Sequence, residues 1–280
     1  MGTVLECVVN VSEGRDPALV EAIGVAAGAA LLDAHSDADH NRSVLTLAGA
    51  DVEEAVRALA RAAVAHLDLG THRGVHPRIG VVDVVPFVPL QGSAPADAVT
   101  ARDRFAAWAA AELSLPSFLF GPERSLPEVR RGAFVTVFPD VGPPRPHPTA
   151  GAAAVGARDV LVAYNLWLAP EVTVERARAV AKAVRGPGIR ALGLAAAGGA
   201  QVSCNLIDLR HAGPDAAFDA VARLVPVARA ELVGLVPASV LAAIPEHRWS
   251  ELDLAPSRTI EARLERAGLP DGGPVPGGPA

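Results

Sequence analysis

The sequence predicts an α/β protein of the α+β kind, built in two parts, and two observations carry that expectation. In the first half, apolar alternations and amphipathic helical patterns follow one another as β-α-β-β-α-β, the split β-α-β or ferredoxin-like order. The second half runs α-β-β-α-β-α, close to the first with its opening strand missing. The 280 residues suit one large domain or two of ordinary size. Half are hydrophobic and only 4% aromatic, as expected for alanine-rich helices packed closely on sheets.

Val4 to Val11 alternates as a strand, and Ser12-Glu13-Gly14 is turn chemistry. Asp16-Pro17 then opens a helix to about Ala29, with Asp as N-cap and Pro in the first helical position. Ala30 to Asp33 is a short strand, Ser36 to Arg42 a polar loop, and Ser43 to Ala48 another strand. From Asp51 to Leu67, Val52, Val56, Leu59, Ala63 and Leu67 form one helical stripe. Thr71 to Gly80, T-H-R-G-V-H-P-R-I-G, leads into the nearly all-apolar strand Ile79 to Val88.

Further on, Ala94 to Leu113 is a helix, Ser117 to Phe120 a strand and Pro127 to Arg131 a short helix. Asp140 to Gly151 holds too many prolines for regular structure, and a long fixed loop in a compact domain is usually functional. Asp159 to Leu168 is a strand. Pro170 is the expected boundary, giving parts 1–170 and 171–268. In the second part come a helix from Glu171 to Arg185, strands Arg190 to Ala197 and Gln201 to Leu209, a helix from Pro214 to Val227, a strand from Glu231 to Val236 and a helix from Ala238 to Ile244. The Pro/Gly segment 269–280 is expected to be disordered.

A net charge of −6 argues against a nucleic-acid surface, which needs clustered cations. All basic residues but Lys182 are arginines, which suit bidentate recognition of carboxylate or phosphate. Cys7 and Cys204 are too few for a disulfide framework and fit small buried residues in a reducing compartment. No basic region followed by an apolar run opens the chain, and no apolar run is long enough to span a bilayer. A soluble cytoplasmic protein, with no membrane and no nucleic-acid partner, is the expectation.

Three stretches have the residues for chemistry. His72 and His76 stand at a spacing that suits a zinc pair on a helix, but Gly74 between them and Pro77 after them argue against helix, and no metal is expected. Pro77 restricts the backbone of His76, which suits an imidazole held still for general acid–base work near neutral pH. Asp33 to Arg42, D-A-H-S-D-A-D-H-N-R, lacks the glycine and terminal glutamate of a calcium loop. It reads either as a polar turn or as a segment meeting the Thr71–Gly80 loop at one end of the sheet, where Asp33, His35 or Asp37 would orient or tune His76. Val9 to Gly14 reads on its own as an ordinary strand end.

Together these segments resemble one family. Leu5-Glu6-Cys7-Val8-Val9-Asn10-Val11-Ser12-Glu13-Gly14 is similar to its opening motif. His72-x-Gly74-x-His76-Pro77-Arg78-x-Gly80 with Asp83-Val84-x-Pro86-Phe87 is similar to its central one. Pro139-Asp140-x-Gly142-Pro143, Gly156-Ala157-Arg158, Ala163-x-Asn165, Gln201-Val202-Ser203-x-Asn205-Leu206 and Leu232 to Pro237 extend the match over about Val4 to Ile244. The family is glutamate formimidoyltransferase, the folate-dependent enzyme of histidine breakdown and one-carbon metabolism.

The resemblance implies two ferredoxin-like α/β subdomains whose sheets face each other across a ligand tunnel, and a homodimer. It implies transfer of the formimidoyl group of N-formimidoyl-L-glutamate to N5 of tetrahydrofolate, a co-substrate, with His76 as the acid–base. The family's folate segment falls on Gly142, Pro143, Pro144, Arg145, Pro146, His147, Pro148, Thr149, Ala150 and Gly151. Asn10 joins the substrate-binding candidates, and Arg42, Arg73 and Arg78 are candidates for substrate carboxylates. Two departures stand out. His35 occupies the place of a family carboxylate in L-D-x-D, and Pro146 and Ala150 replace aromatic residues in the folate segment. N-formylglutamate as the donor, or folate binding without turnover, remain alternatives. The family's bifunctional members continue into a cyclodeaminase beyond the length of this chain.

Overall fold

The computed structural model of the chain describes residues 3–74, 77–90, 92–196 and 199–269. His76, Ala197 at the end of an expected strand, and all of the expected tail except Leu269 lie outside the described residues. The chain divides into two compact units between Asp159 and Val160, with residues 267–269 grouping with the first.

In the first unit the elements are β1 (Leu5–Val11), α1 (Pro17–Val25), β2 (Leu31–Asp37), β3 (Arg42–Gly49), α2 (Val52–His66), β4 (Val82–Pro89), α3 (Pro95–Leu113), β5 (Ser117–Phe120), α4 (Leu126–Gly132) and β6 (Ala153–Ala157). The sheet order is β2-β3-β1-β4-β6-β5. The first four strands pair antiparallel in the ferredoxin-like order, and β6 pairs parallel with both β4 and β5. The sequence reading gave β6 no strand. Its A-A-V-G-A composition has a single β-branched residue, Val155, and no aromatic to mark a strand, yet all five residues are buried.

Local chemistry explains the entry to α1. Asp16 Oδ1 accepts from the Ala18 and Leu19 amides at 3.0 and 3.1 Å, with Pro17 at the first helical position. Leu5, Cys7, Val9 and Val11 of β1 alternate toward α1, α2 and α3, and meet Val56, Leu59 and Phe105 in one core. The intervening residues Glu6, Val8 and Asn10 occupy the opposite face. Over the β5–β6 side of that opposite face lies α4, where Val129 packs with Val84, Phe118 and Phe120.

β2 is longer than expected and reaches Asp37. Asp33, His35 and Asp37 therefore lie at alternate positions along a strand, opposite Thr46, Val44 and Arg42 of β3, and share the face away from α1 and α2.

The second unit consists of β7 (Val162–Leu168), α5 (Val174–Val184), β8 (Ile189–Ala196), β9 (Gly199–Leu206), α6 (Pro214–Ala222), β10 (Val227–Val233), α7 (Ala238–Ala242) and α8 (Ile260–Arg266). Its sheet order, β10-β7-β9-β8, is again the ferredoxin-like one. The opening strand that the sequence reading found missing is β7, which pairs antiparallel with β10 and β9. The division consequently falls before β7 and not at Pro170. Periodicity identified the strand but not the sheet it joins.

Candidate active site

The loop before β4 is held from three sides. On the first side, the segment after β2 docks against it. Asn41 donates from Nδ2 to the Arg73 carbonyl at 3.0 Å, and its Oδ1 accepts from the Gly14 amide at 3.0 Å. His72 Nε2 donates to the Asn41 carbonyl at 2.9 Å, leaving Nδ1 to accept from the Arg78 guanidinium. Arg78 Nη2 also donates to the His40 carbonyl at 3.1 Å. A side chain at Gly74 would lie 2.4 Å from that same carbonyl, so the close approach requires glycine. The expectation that residues 33–42 meet the Thr71–Gly80 loop is met through His40 and Asn41.

On the second side is the proline-rich segment. His147 and Gly151 exchange backbone hydrogen bonds of 2.7 and 3.0 Å, closing a tight loop. The loop docks on both ends of the histidine stretch: Leu69 N donates to the Thr149 carbonyl at 2.7 Å, Val81 N to Ala150 O at 3.0 Å, and Ala152 N to Ile79 O at 2.9 Å. His147 Nδ1 accepts from the Ala150 amide at 2.9 Å, which assigns the ring proton to Nε2. Pro144, Arg145, Pro146, Pro148 and Thr149 are exposed. The Ala150 side chain is fully buried in the apolar core, while its carbonyl accepts from Val81. Asp140 fixes the start of the segment, accepting from Leu119 N at 2.8 Å and pairing with Arg124 at 2.7 Å.

On the third side stand Asp83 and Arg130, which the sequence reading did not place in the site. Asp83 is 1% exposed. Its Oδ1 accepts from the Ile79 amide at 2.8 Å and its Oδ2 from Arg130 Nη2 at 2.6 Å. Arg130 Nη1 donates to the Pro77 carbonyl at 2.6 Å. Pro77 and Ile79 are thereby fixed immediately after His76. A carboxylate within the apolar run V-V-D-V-V was the available signal, since a buried charge needs a partner.

The candidate arginines differ in their surroundings. Arg73 is exposed, with Nη1 donating to the Gly70 and His72 carbonyls at 3.1 and 2.8 Å. Arg78 is engaged as described. Arg42, at the start of β3, donates from Nη2 to Asn10 Oδ1. Asp37 sits opposite Arg42 in the ladder, but its Oδ1 accepts from the Asp39 and His40 amides, each at 2.8 Å, and its Oδ2 lies 3.4 Å from His40 Nδ1. Burial pushes the Arg42 guanidinium down to about 10, with Asp83 opposing the shift.

In the second unit, the sheet face away from α5 and α6 is also polar. Glu231 Oε2 accepts from Asn165 Nδ2 at 3.1 Å and from Trp167 Nε1 at 2.9 Å. Gln201 is fully buried, and neither end of its amide has a hydrogen-bond partner among the described residues.

A family model described as "Formiminotransferase domain, N-terminal subdomain" matches residues 4–158. The chain is 36% identical to glutamate formimidoyltransferase of Streptococcus pyogenes serotype M1, over 88% of its own length and 93% of that protein. It is 32% identical to glutamate formimidoyltransferase of Thermoplasma acidophilum, over 95% and 98% of the two chains. Identity to formimidoyltransferase-cyclodeaminase of Sus scrofa is 34%, over 86% of this chain and 51% of that protein, so the chain spans about half of that relative.

Proposed function

The chain belongs to the formiminotransferase family, and from that premise we propose that it is the transferase moving the formimidoyl group of N-formimidoyl-L-glutamate to N5 of tetrahydrofolate. The products are 5-formimidoyltetrahydrofolate and L-glutamate. Such a transfer is amidine exchange: a bond forms from the acceptor nitrogen to the formimidoyl carbon, and the bond from that carbon to the glutamate nitrogen breaks. A proton must leave the acceptor nitrogen and another must reach the departing amine. His76 is the residue we assign to both transfers, since one imidazole serves as base and then as acid.

The observation that carries this reading is the convergence of three chain segments on the stretch containing His76. The Asn41 segment, the His147–Gly151 loop and the Asp83–Arg130 pair immobilise its flanks through backbone atoms. Catalysis by a positioned group gains from flanks that are held in place. Three polar groups fit the folate segment's assignment to an anionic co-substrate: exposed Arg145, the half-buried His147 whose Nε2 bears the ring proton, and the Thr149 hydroxyl. Asp33 and His35 share a sheet face with Arg42, and on this reading His35 supplies the function of the family carboxylate that it replaces. The family resemblance supports a homodimer, and the two buried free cysteines suit a reducing compartment such as the cytoplasm.

Side-by-side assays of N-formimidoyl-L-glutamate and N-formyl-L-glutamate with tetrahydrofolate test the proposal. Turnover of the first well above the second is expected. Preference for the formyl donor would reassign the donor, and folate binding with no turnover of either would reject catalysis.

A further inference from the structure

Arg42 differs from other arginines of the first unit. Arg130 pairs with Asp83, Arg124 with Asp140 and Arg102 with Glu123. Arg73 and Arg78 donate to carbonyl oxygens of their own surroundings. Arg42 has no carboxylate partner among the described residues. Its Nε is buried and without an acceptor there, and its one bond is to the neutral Asn10 side chain. The nearest candidate partner in the ladder, Asp37, is held by the amides of its own turn and by His40. A half-buried guanidinium whose Nε is shut off from water without an acceptor, and whose charge no carboxylate offsets, is suited to an incoming anion.

We propose that Arg42, oriented by Asn10, is a binding site for a glutamate-type carboxylate. This inference rests on the transferase reading and deepens it. Two sources share this chemistry, the glutamate portion of the one-carbon donor and the glutamyl tail of the folate. The planar fork of arginine suits either, whereas a lysine would present one point of charge. The side chain lies on the sheet face that also carries Asp33, His35 and Asn10, away from α1 and α2. A carboxylate seated there would be anchored beside the histidine stretch without any proton passing through Arg42.

The test compares the wild type with Arg42→Met, Arg42→Lys and Asn10→Asp. L-glutamate, folate and pteroate (folate without its glutamate) are titrated by calorimetry, and KM and kcat are measured with formimidoylglutamate. If the donor is the source, Arg42→Met weakens L-glutamate binding and raises the donor KM by about 10–100-fold, leaving kcat within about threefold, and Arg42→Lys restores part of the loss. If the folate tail is the source, the same change weakens folate to the level of pteroate and leaves L-glutamate unaffected. Asn10→Asp gives Arg42 an internal carboxylate, and is expected to weaken the same ligand even where Arg42→Met does not fold. Unchanged binding of both L-glutamate and folate in Arg42→Met, or in Asn10→Asp should that alone fold, overturns the inference. So does a wild type that binds neither ligand. A wild type that binds but does not turn over rejects the transferase reading and leaves the binding inference standing on the titrations.

Discussion

Arg130 holds the Asp83 carboxylate and the Pro77 carbonyl at once, each at 2.6 Å, from a helix 47 residues beyond Asp83. Asp83 in turn holds the Ile79 amide. This pair makes no contact that identifies it with substrate; its effect is on the backbone just after His76. Arg130→Met is expected to lower kcat by about 10–100-fold, the scale of an ångström-sized misplacement, with KM changed by less than about threefold. Because a partnerless buried Asp83 would itself destabilise the fold, the change is paired with Asp83→Asn. The double variant is expected to be no slower than Arg130→Met, since both act through one loop. Independent, additive losses in a kinetic double-mutant cycle would contradict the pairing.

The histidine stretch and the proline-rich loop touch through two glycines. Gly151 has φ +71°, and a Cβ there would lie 2.3 Å from the Ile79 carbonyl; one at Gly80 would lie 2.0 Å from the Ala152 carbonyl. Both obstacles are backbone and have little room to yield. Gly151→Ala is expected to destabilise by more than the roughly 1–2 kcal/mol of the left-handed conformation alone, and to reduce activity by separating the loops. Urea unfolding curves measure the first effect. A loss below about 0.5 kcal/mol would show that the loops are not held as closely as described.

His72 gives a pH dependence. Burial, and secondarily the Arg78 guanidinium, hold its imidazole below the usual histidine range, against the raising effect of its bond to the Asn41 carbonyl. On acidification the unfolded chain takes up this proton first, at about pH 6.5, so the folded state loses stability as pH falls below that value, until His72 in the folded protein is itself protonated. Above it, both states are neutral and the contribution is level. His72→Gln keeps an N–H for the Asn41 carbonyl and removes the titration. Its melting temperature is expected to fall less than that of the wild type between pH 7.5 and pH 5.5; parallel profiles would contradict the assignment.

The parts of this arrangement that local chemistry determines were legible in the sequence. Asp16-Pro17 announced α1, the stripe from Val52 to Ala63 announced α2, and the β-α-β-β-α-β order through β4 followed from periodicity. The approach of residues 33–42 to the histidine stretch was inferable because, in this topology, the turn after the second strand and the segment entering the fourth lie at one end of the sheet. What escaped was pairing over distance. Periodicity does not say which sheet a strand such as β7 joins, and alanine- and glycine-rich β6 carries no strand signature although it occupies a central parallel position. Arg130 and Asp83 are linked only by tertiary packing of α4, so neither announces the other. Sequence could not show that the Ala150 side chain is core while its carbonyl docks on Val81, and it left three arginines equivalent until their neighbours distinguished Arg42.

The central claim concerns His76, and steady-state kinetics of His76→Ala with formimidoylglutamate and tetrahydrofolate test it most directly. A folded variant with kcat lower by about 10²–10⁴-fold, the usual scale for losing a general acid–base, and with KM values near those of the wild type is the predicted result. A folded variant that retains kcat within about threefold of the wild type would contradict the account.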